Sequence, residues 1–117
     1  MSNPFALLAN RCVDARAAAL EYRDVAAEQL LAGPARVGTV ELGQLNGCSI
    51  GVWEMSPSVT TDVEVDEFFI VLTGSATVSF ADGTPPLQLT AGSVGHLAAG
   101  TATTWTVRET LRKIYIA

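Results

Sequence analysis

From Arg36 onward the sequence is a succession of short β-type runs separated by turn signals, with no helical pattern between them. The runs are Val37–Leu42, Ile50–Met55, Val63–Thr73, Ala76–Phe80, Leu87–Leu89, Val94–Leu97, Thr103–Val107 and Arg112–Ile116. Asn46-Gly47, Asp82-Gly83, Ala91-Gly92 and Ala99-Gly100 punctuate them, the first two as hairpin turns. Short strands at roughly ten-residue spacing, with no crossover helices, bury their apolar faces as a sandwich or a barrel. Gly33-Pro34 breaks the chain before this region. Residues 1–35 are therefore expected to form an N-terminal arm, and residues 36–117 a barrel. Within the arm, Arg11–Leu20 has the propensity for about two or three helical turns or an irregular segment. Asp24–Leu31 reads as a further turn or a strand.

A chain of 117 residues is one domain, and 49 % hydrophobic residues supply enough apolar surface to exclude disorder. No apolar run reaches the roughly 18–20 residues of a membrane span. The patch Phe5–Ala9 lacks a preceding basic region, so a cytoplasmic protein is expected. Cys12 and Cys48 have no CxxC spacing and are read as free thiols. Net charge is −5, and no basic residue lies between Arg36 and Arg108. That span carries Glu41, Glu54, Asp62, Glu64, Asp66, Glu67 and Asp82. Without a basic stripe, neither nucleic acid nor a polyanionic ligand is an expected partner. A neutral or cationic small molecule suits this charge balance better. There is no nucleophile elbow and no glycine-rich phosphate loop.

The segment Asp62–Gly74 sets a carboxylate, Glu67, directly before Phe68-Phe69-Ile70-Val71-Leu72, with Gly74 as a terminating turn. Alternate strand residues share a face, so a Glu67 that points inward does so with Val65, Phe69 and Val71. An inward carboxylate needs a hydrogen bond, an ion pair or a metal. It is then either a general acid or base or a structural group bonded to its neighbours. Asp62, Glu64 and Asp66 are expected on a solvated rim. Arg112 and Lys113 are adjacent and so face opposite ways, and one of them is a candidate ion-pair partner for Glu54 or Glu67.

From about Gly51 to its end the sequence resembles the cupin superfamily. Glu67 and Gly74 match the Glu-x6-Gly close of the first cupin motif. Gly92 and Gly100 occupy the two glycine positions of the second, with Ala98 at the proline position. Gly51-Val-Trp53-Glu54, Leu72-Thr-Gly74, Ala99-Gly-Thr101, Trp105 and Leu111-Arg-Lys-Ile-Tyr115 are similar to one subgroup. It contains small single-domain cupins related to (S)-ureidoglycine aminohydrolase and to ethanolamine-utilisation cupins. The resemblance implies a jelly-roll barrel, the double-stranded β-helix of the cupins, and a homodimer. Phe68, Ile70 and Leu72, on the face opposite Glu67, would be buried against the second sheet or against a partner.

The departures bear on chemistry. Metal-binding cupins carry His-x-His-x(3–4)-Glu and a further histidine in the second motif. With the four-residue gap the histidine positions here are Thr60 and Asp62; with the three-residue gap they are Thr61 and Val63. The second-motif position is Thr103, and the single histidine, His96, lies elsewhere. Borderline metals favour imidazole and thiolate, so no transition-metal cofactor is expected. Thr60, Asp62 and Thr103 become candidate ligand-binding residues. Trp53 and Trp105 are candidate aromatic walls of the mouth, or core residues. His96 is a candidate interior ligand group, or a packed or surface histidine. Two functions remain open. One is a metal-free or weakly metal-binding barrel that holds a neutral or cationic small molecule, favoured because the histidines are missing. The other is an enzyme of nitrogen metabolism, implied by the aminohydrolase resemblance, with Glu67 as catalytic acid or base.

Overall fold

A computed structural model describes residues 3–117 of the chain. Its nine strands are β1 (Glu21–Asp24), β2 (Leu30–Ala32), β3 (Arg36–Leu45), β4 (Cys48–Met55), β5 (Ser58–Val63), β6 (Glu67–Phe80), β7 (Leu87–Leu89), β8 (Val94–Leu97) and β9 (Ala102–Ile116). One 3-10 turn, Ala27–Gln29, links β1 to β2. All pairings are antiparallel, in the order β1-β3-β4-β9-β5-β2, with β6 joined to β7, β8 and β9. The sheet curls into a barrel around Phe69, Val71, Val78, Leu97, Trp105 and Leu111.

β9 is the spine. Its first half pairs with β5, from Ala102 opposite Val63 to Val107 opposite Ser58. Its second half pairs with β4, from Leu111 opposite Met55 to Ile116 opposite Ile50. Along its other edge it follows β6, from Thr103 opposite Phe80 to Ile116 opposite Phe68.

The strand pattern differs from the sequence reading in three places, each with a local cause. The run expected over Val63–Thr73 is interrupted at Glu64–Asp66, because the Glu64 N–H donates to Thr101 O and its carbonyl accepts from the Gly100 N–H. β6 therefore starts at Glu67, and Val65, expected inside, is 59 % exposed. Gly74 does not terminate a strand: β6 continues through it to Phe80. Register shifts between Val71 and Ala76 change which residues face the core, from Phe69 and Val71 to Ala76 and Val78. Side chains alternate with period two, so an odd slip of this kind inverts the faces. Finally, Thr103–Val107 and Arg112–Ile116 are two parts of one strand, β9.

Residues 11–20 contain turns and no helix. The rest of the arm adds strands to the barrel, with Tyr22 opposite Gly38 on β3 and Leu30 opposite Thr60 on β5. Outside the barrel Phe68 is 52 % exposed and Ile70 is also exposed, alongside Val94. Within the chain Phe68 and Ile70 therefore stay largely uncovered, against the expectation of burial on a second sheet, while Leu72 is half-buried. Both cysteines are exposed and free.

Gly74 has φ +96°, and a Cβ there would overlap the Thr110 carbonyl oxygen and the Leu111 backbone of β9. Backbone cannot swing aside as a side-chain end can. Gly74→Ala is expected to cost about 3 kcal/mol or more, the left-handed conformation and the overlap adding together. A urea unfolding midpoint within experimental error of the parent protein would contradict this account of the bulge.

Candidate functional site

The barrel holds a cavity of about 260 Å³. Its wall includes Trp53 of β4, Thr60 and Asp62 of β5, Glu67 of β6, and Trp105, Lys113 and Tyr115 of β9. Glu64, between β5 and β6, completes the acidic side.

Lys113 sits at the centre of the site. Leu111 and Lys113 share the inner face of β9, and Lys113 is 4 % exposed. Its Nζ donates to Glu67 Oε2 at 2.6 Å. Three rings surround the same ammonium: Trp53 at 4.6 Å, Phe69 at 4.8 Å and Trp105 at 4.8 Å from their centroids. The rings also pack on one another, Trp53 to Trp105 at 5.7 Å and Phe69 to Trp105 at 6.1 Å. A charge removed from water needs both a counter-ion and polarisable faces, and this cage supplies them. Arg112 takes the opposite face. Its Nε donates to Glu54 Oε1 at 3.0 Å, and its Nη1 donates to the carbonyls of Ala15 and Ala18. The two alternatives weighed for this Arg-Lys pair are thus both realised, one cation inside and the other under the arm.

Glu64 corrects the expectation of a solvated rim. It is 8 % exposed, and its Oε2 accepts from Thr103 Oγ1 at 2.5 Å and from Trp105 Nε1 at 3.0 Å. The break before β6 turns this side chain inward. Asp66 does stay outside, where it accepts from the Ala99 N–H.

The candidates named from sequence are placed as follows. Thr60 pairs with Trp105 and Asp62 with Thr103 across β5 and β9. The four-residue gap is therefore the one that aligns with the inward face. Thr60 is buried in the cavity wall, while Asp62 lies at the exposed rim. Asp62, Thr61 and Gln29 also border an open depression of about 630 Å³, to which Thr103 belongs. Burial, and then the neighbouring Glu64 carboxylate, raise the Asp62 pKa above its ordinary 3.8. Trp53 and Trp105 both line the cavity, and Trp105 is at once wall and core. His96 is a correction: Leu97 takes the inner face of β8, so His96 lies outside, exposed and stacked on Phe68 at 4.4 Å. Sequence reasoning missed Glu64 and Tyr115 as parts of the site. Burial raises the Tyr115 pKa, with Glu41 and Glu67 adding to the shift.

The donor set does not fit a transition metal. Glu67 is engaged by the Lys113 ammonium and Thr103 by Glu64. The remaining positions are the Thr60 hydroxyl and the Asp62 carboxylate, which lies at the exposed rim and accepts from the Val63 N–H. Among the described residues no three His, Cys, Asp or Glu side chains converge as ligands. A cation placed against Glu67 would face the ammonium charge directly.

The antiparallel barrel, with its polar site on the inner faces of β5, β6 and β9, has the cupin architecture. Residues 42–115, more than half of the chain, match the EutQ-like cupin domain family, and the chain belongs to it. It is similar to a protein of unknown function in the DUF861 family from Pseudomonas syringae pv. tomato str. DC3000. That match has a TM-score of 0.75 and 21 % identity over 86 % of this chain and 45 % of the other. A protein of unknown function from Rhizobium leguminosarum bv. viciae 3841 gives 0.62 and 25 % over 68 % of this chain and 78 % of the other. A putative ethanolamine utilization protein Q from Salmonella typhimurium LT2 gives 0.58 and 20 % over 69 % and 68 %. No curated protein matches the chain.

Glu67→Gln is expected to destabilise the fold by about 3 kcal/mol, because it leaves a buried ammonium without its counter-charge. Glu67→Gln combined with Lys113→Met should recover most of that loss, and a purely additive double-mutant cycle would refute the coupling. Asp62→Asn keeps the acceptor for the Val63 N–H while removing a charge that the folded state disfavours. The folded pKa is raised, so the folded state holds the proton more tightly than the unfolded chain. The penalty thus acts above the raised pKa and disappears below 3.8. Asp62→Asn should accordingly raise Tm at neutral pH and leave it unchanged in acid, which thermal unfolding across that range checks.

Proposed function

We propose that the chain is a small-molecule-binding cupin in which the Lys113–Glu67 pair stands in place of the metal centre. The 2.6 Å contact inside a three-ring cage carries this reading. It gives Glu67 a fixed partner that does not depend on an ion from solution. The cavity presents Trp53 and Trp105 as flat apolar walls, with Thr60, Asp62 and Tyr115 as polar groups around them. Such a mixture orients a compact, planar or weakly polar molecule. Asp62 and Glu64 add negative charge near the mouth, which favours neutral or cationic ligands over anions. The proposal includes a homodimer and a cytoplasmic setting. Among the described residues no helix is long and apolar enough to cross a membrane.

An enzyme of nitrogen metabolism is the second reading, and the position of Glu67 on the cavity wall favours it. In that scheme Glu67 exchanges a proton with the bound molecule, while Thr60 and Asp62 hold its polar atoms.

Elemental analysis of purified protein, with a thermal-shift screen of divalent metals, amines and ureido compounds, tests the first reading. It predicts no stoichiometric transition metal and a rise in Tm only with organic ligands. A transition metal retained at one per chain through purification would overturn it. Turnover of a ureido compound that is lost in Glu67→Gln would establish the second reading. Light scattering checks the dimer, and a mass of one chain would remove it from the proposal.

A further inference from the structure

Lys113 is the only lysine in the sequence; the other six basic side chains are arginine. Arginine makes ion pairs equally well but keeps its proton, whereas a lysine amine can give up its proton and act as a nucleophile. The other basic residue of the cavity wall, Arg23, is exposed, and the single lysine is the basic side chain held in the aromatic cage. Glu67 Oε2, 2.6 Å from its Nζ, is placed to take that proton without any movement of solvent. Desolvated against three rings and facing a cavity, this amine has the surroundings in which lysines form covalent bonds to carbonyl compounds.

We propose that Lys113 condenses reversibly with a small aldehyde or ketone to form a protonated imine, with Glu67 carrying the proton. The inference rests on the small-molecule-binding reading and names the ligand's chemical class. The ammonium first passes a proton to Glu67, leaving a neutral amine and a carboxylic acid. The nitrogen lone pair attacks the carbonyl carbon, and the carbonyl π pair moves to oxygen. Transfer of an N–H proton to that oxygen gives a carbinolamine. Glu67 then protonates the hydroxyl, the C–O bond breaks, water leaves, and the nitrogen lone pair forms the C=N bond. The balance is one carbonyl compound and one ammonium in, one iminium and one water out, with Glu67 again a carboxylate. The positive charge ends on the nitrogen where it began, so the three rings and Glu67 that hold the ammonium also hold the product. The iminium nitrogen keeps the ammonium's place against the Trp53 and Trp105 faces. A cavity of about 260 Å³ limits the partner to a molecule of few heavy atoms.

Acetaldehyde with sodium cyanoborohydride, read by intact mass and peptide mapping, tests this. The native protein should gain one ethyl group on Lys113, at least about tenfold faster than the same lysine in urea-unfolded protein. Glu67→Gln, confirmed as folded by circular dichroism, should slow that labelling about a hundredfold. The α-amino group of the chain is the other primary amine and serves as the internal control for reagent competence. Lys113→Arg should lose the internal adduct and keep the terminal one; if it does not fold, the native and unfolded rates on the parent protein decide. Labelling confined to the α-amino group, or slower at Lys113 in native than in unfolded protein, would overturn the proposal. A rise in Tm with amines or ureido compounds alongside that result would leave the binding reading standing and remove only the imine.

Discussion

The ammonium of Lys113 is a full charge inside an apolar barrel, and much of the site's arrangement follows from accommodating it. In a low-dielectric interior an unpaired cation costs several kcal/mol, so the neighbourhood must supply opposite charge and polarisable surface. Glu67 supplies the first at 2.6 Å, and Trp53, Phe69 and Trp105 supply the second. Each of these side chains has a further neighbour in the same set. Trp105 donates its indole N–H to Glu64, and Glu64 accepts from Thr103 as well. The result is a connected polar and aromatic network across β4, β6, β9 and the Glu64 link before β6, and among the described residues no buried side-chain nitrogen or oxygen lacks a partner. Such networks hold their geometry because each group constrains the next.

The same strand explains the outer surface. Adjacent residues of a strand point to opposite faces, so placing Lys113 inside requires Arg112 to face outward. A guanidinium on that face binds several acceptors at once, and here it holds Glu54 together with the Ala15 and Ala18 carbonyls. Tyr22 donates to the other oxygen of Glu54 at 2.7 Å. That hydrogen bond, with burial behind it, raises the Tyr22 pKa. The arm is therefore fastened by one residue of β9, while the next residue organises the interior. Backbone pairing of β1 with β3 completes the attachment.

Much of this architecture was legible in the residues, and the misreadings share a cause. Alternation, turn glycines and the Glu67–Gly74 and Gly92–Gly100 spacings led to the barrel and to the inward Glu67. Local pattern does not reveal where a strand breaks or slips. Glu64 and Glu67 are three apart, so in one continuous strand only one of them could face the core. The backbone clips from Glu64 to Gly100 and Thr101 remove that restriction, and those partners are more than thirty residues away. Gly74 reads as a turn because a positive φ usually marks one, yet here it serves a bulge that reverses the faces of β6. His96 was ambiguous for the same reason: only the register of β8 against β6, Phe68 opposite His96 and Glu67 opposite Leu97, settles which side it takes.

The absence of histidine at positions 60, 62 and 103 and the presence of Glu67 are linked by electrostatics. A carboxylate at the head of β6 is tolerable inside the barrel only with a positive partner. A divalent ion could play that part, and so can an ammonium, but the two repel each other when placed on the same oxygen atoms. With Lys113 on the inner face of β9, imidazoles at positions 60, 62 and 103 would have no ion to bind. Thr60 then lines the cavity, and Thr103 serves as a donor to Glu64. The tethered cation differs from an ion in one respect that matters for chemistry. A metal offers empty coordination positions to a ligand, whereas an amine offers a lone pair once its proton has moved to Glu67. An ammonium in the place of a metal is thus compatible with chemistry at the site. The proposed imine accordingly calls for an electrophile that meets a nitrogen, where a metal would call for a lone-pair donor.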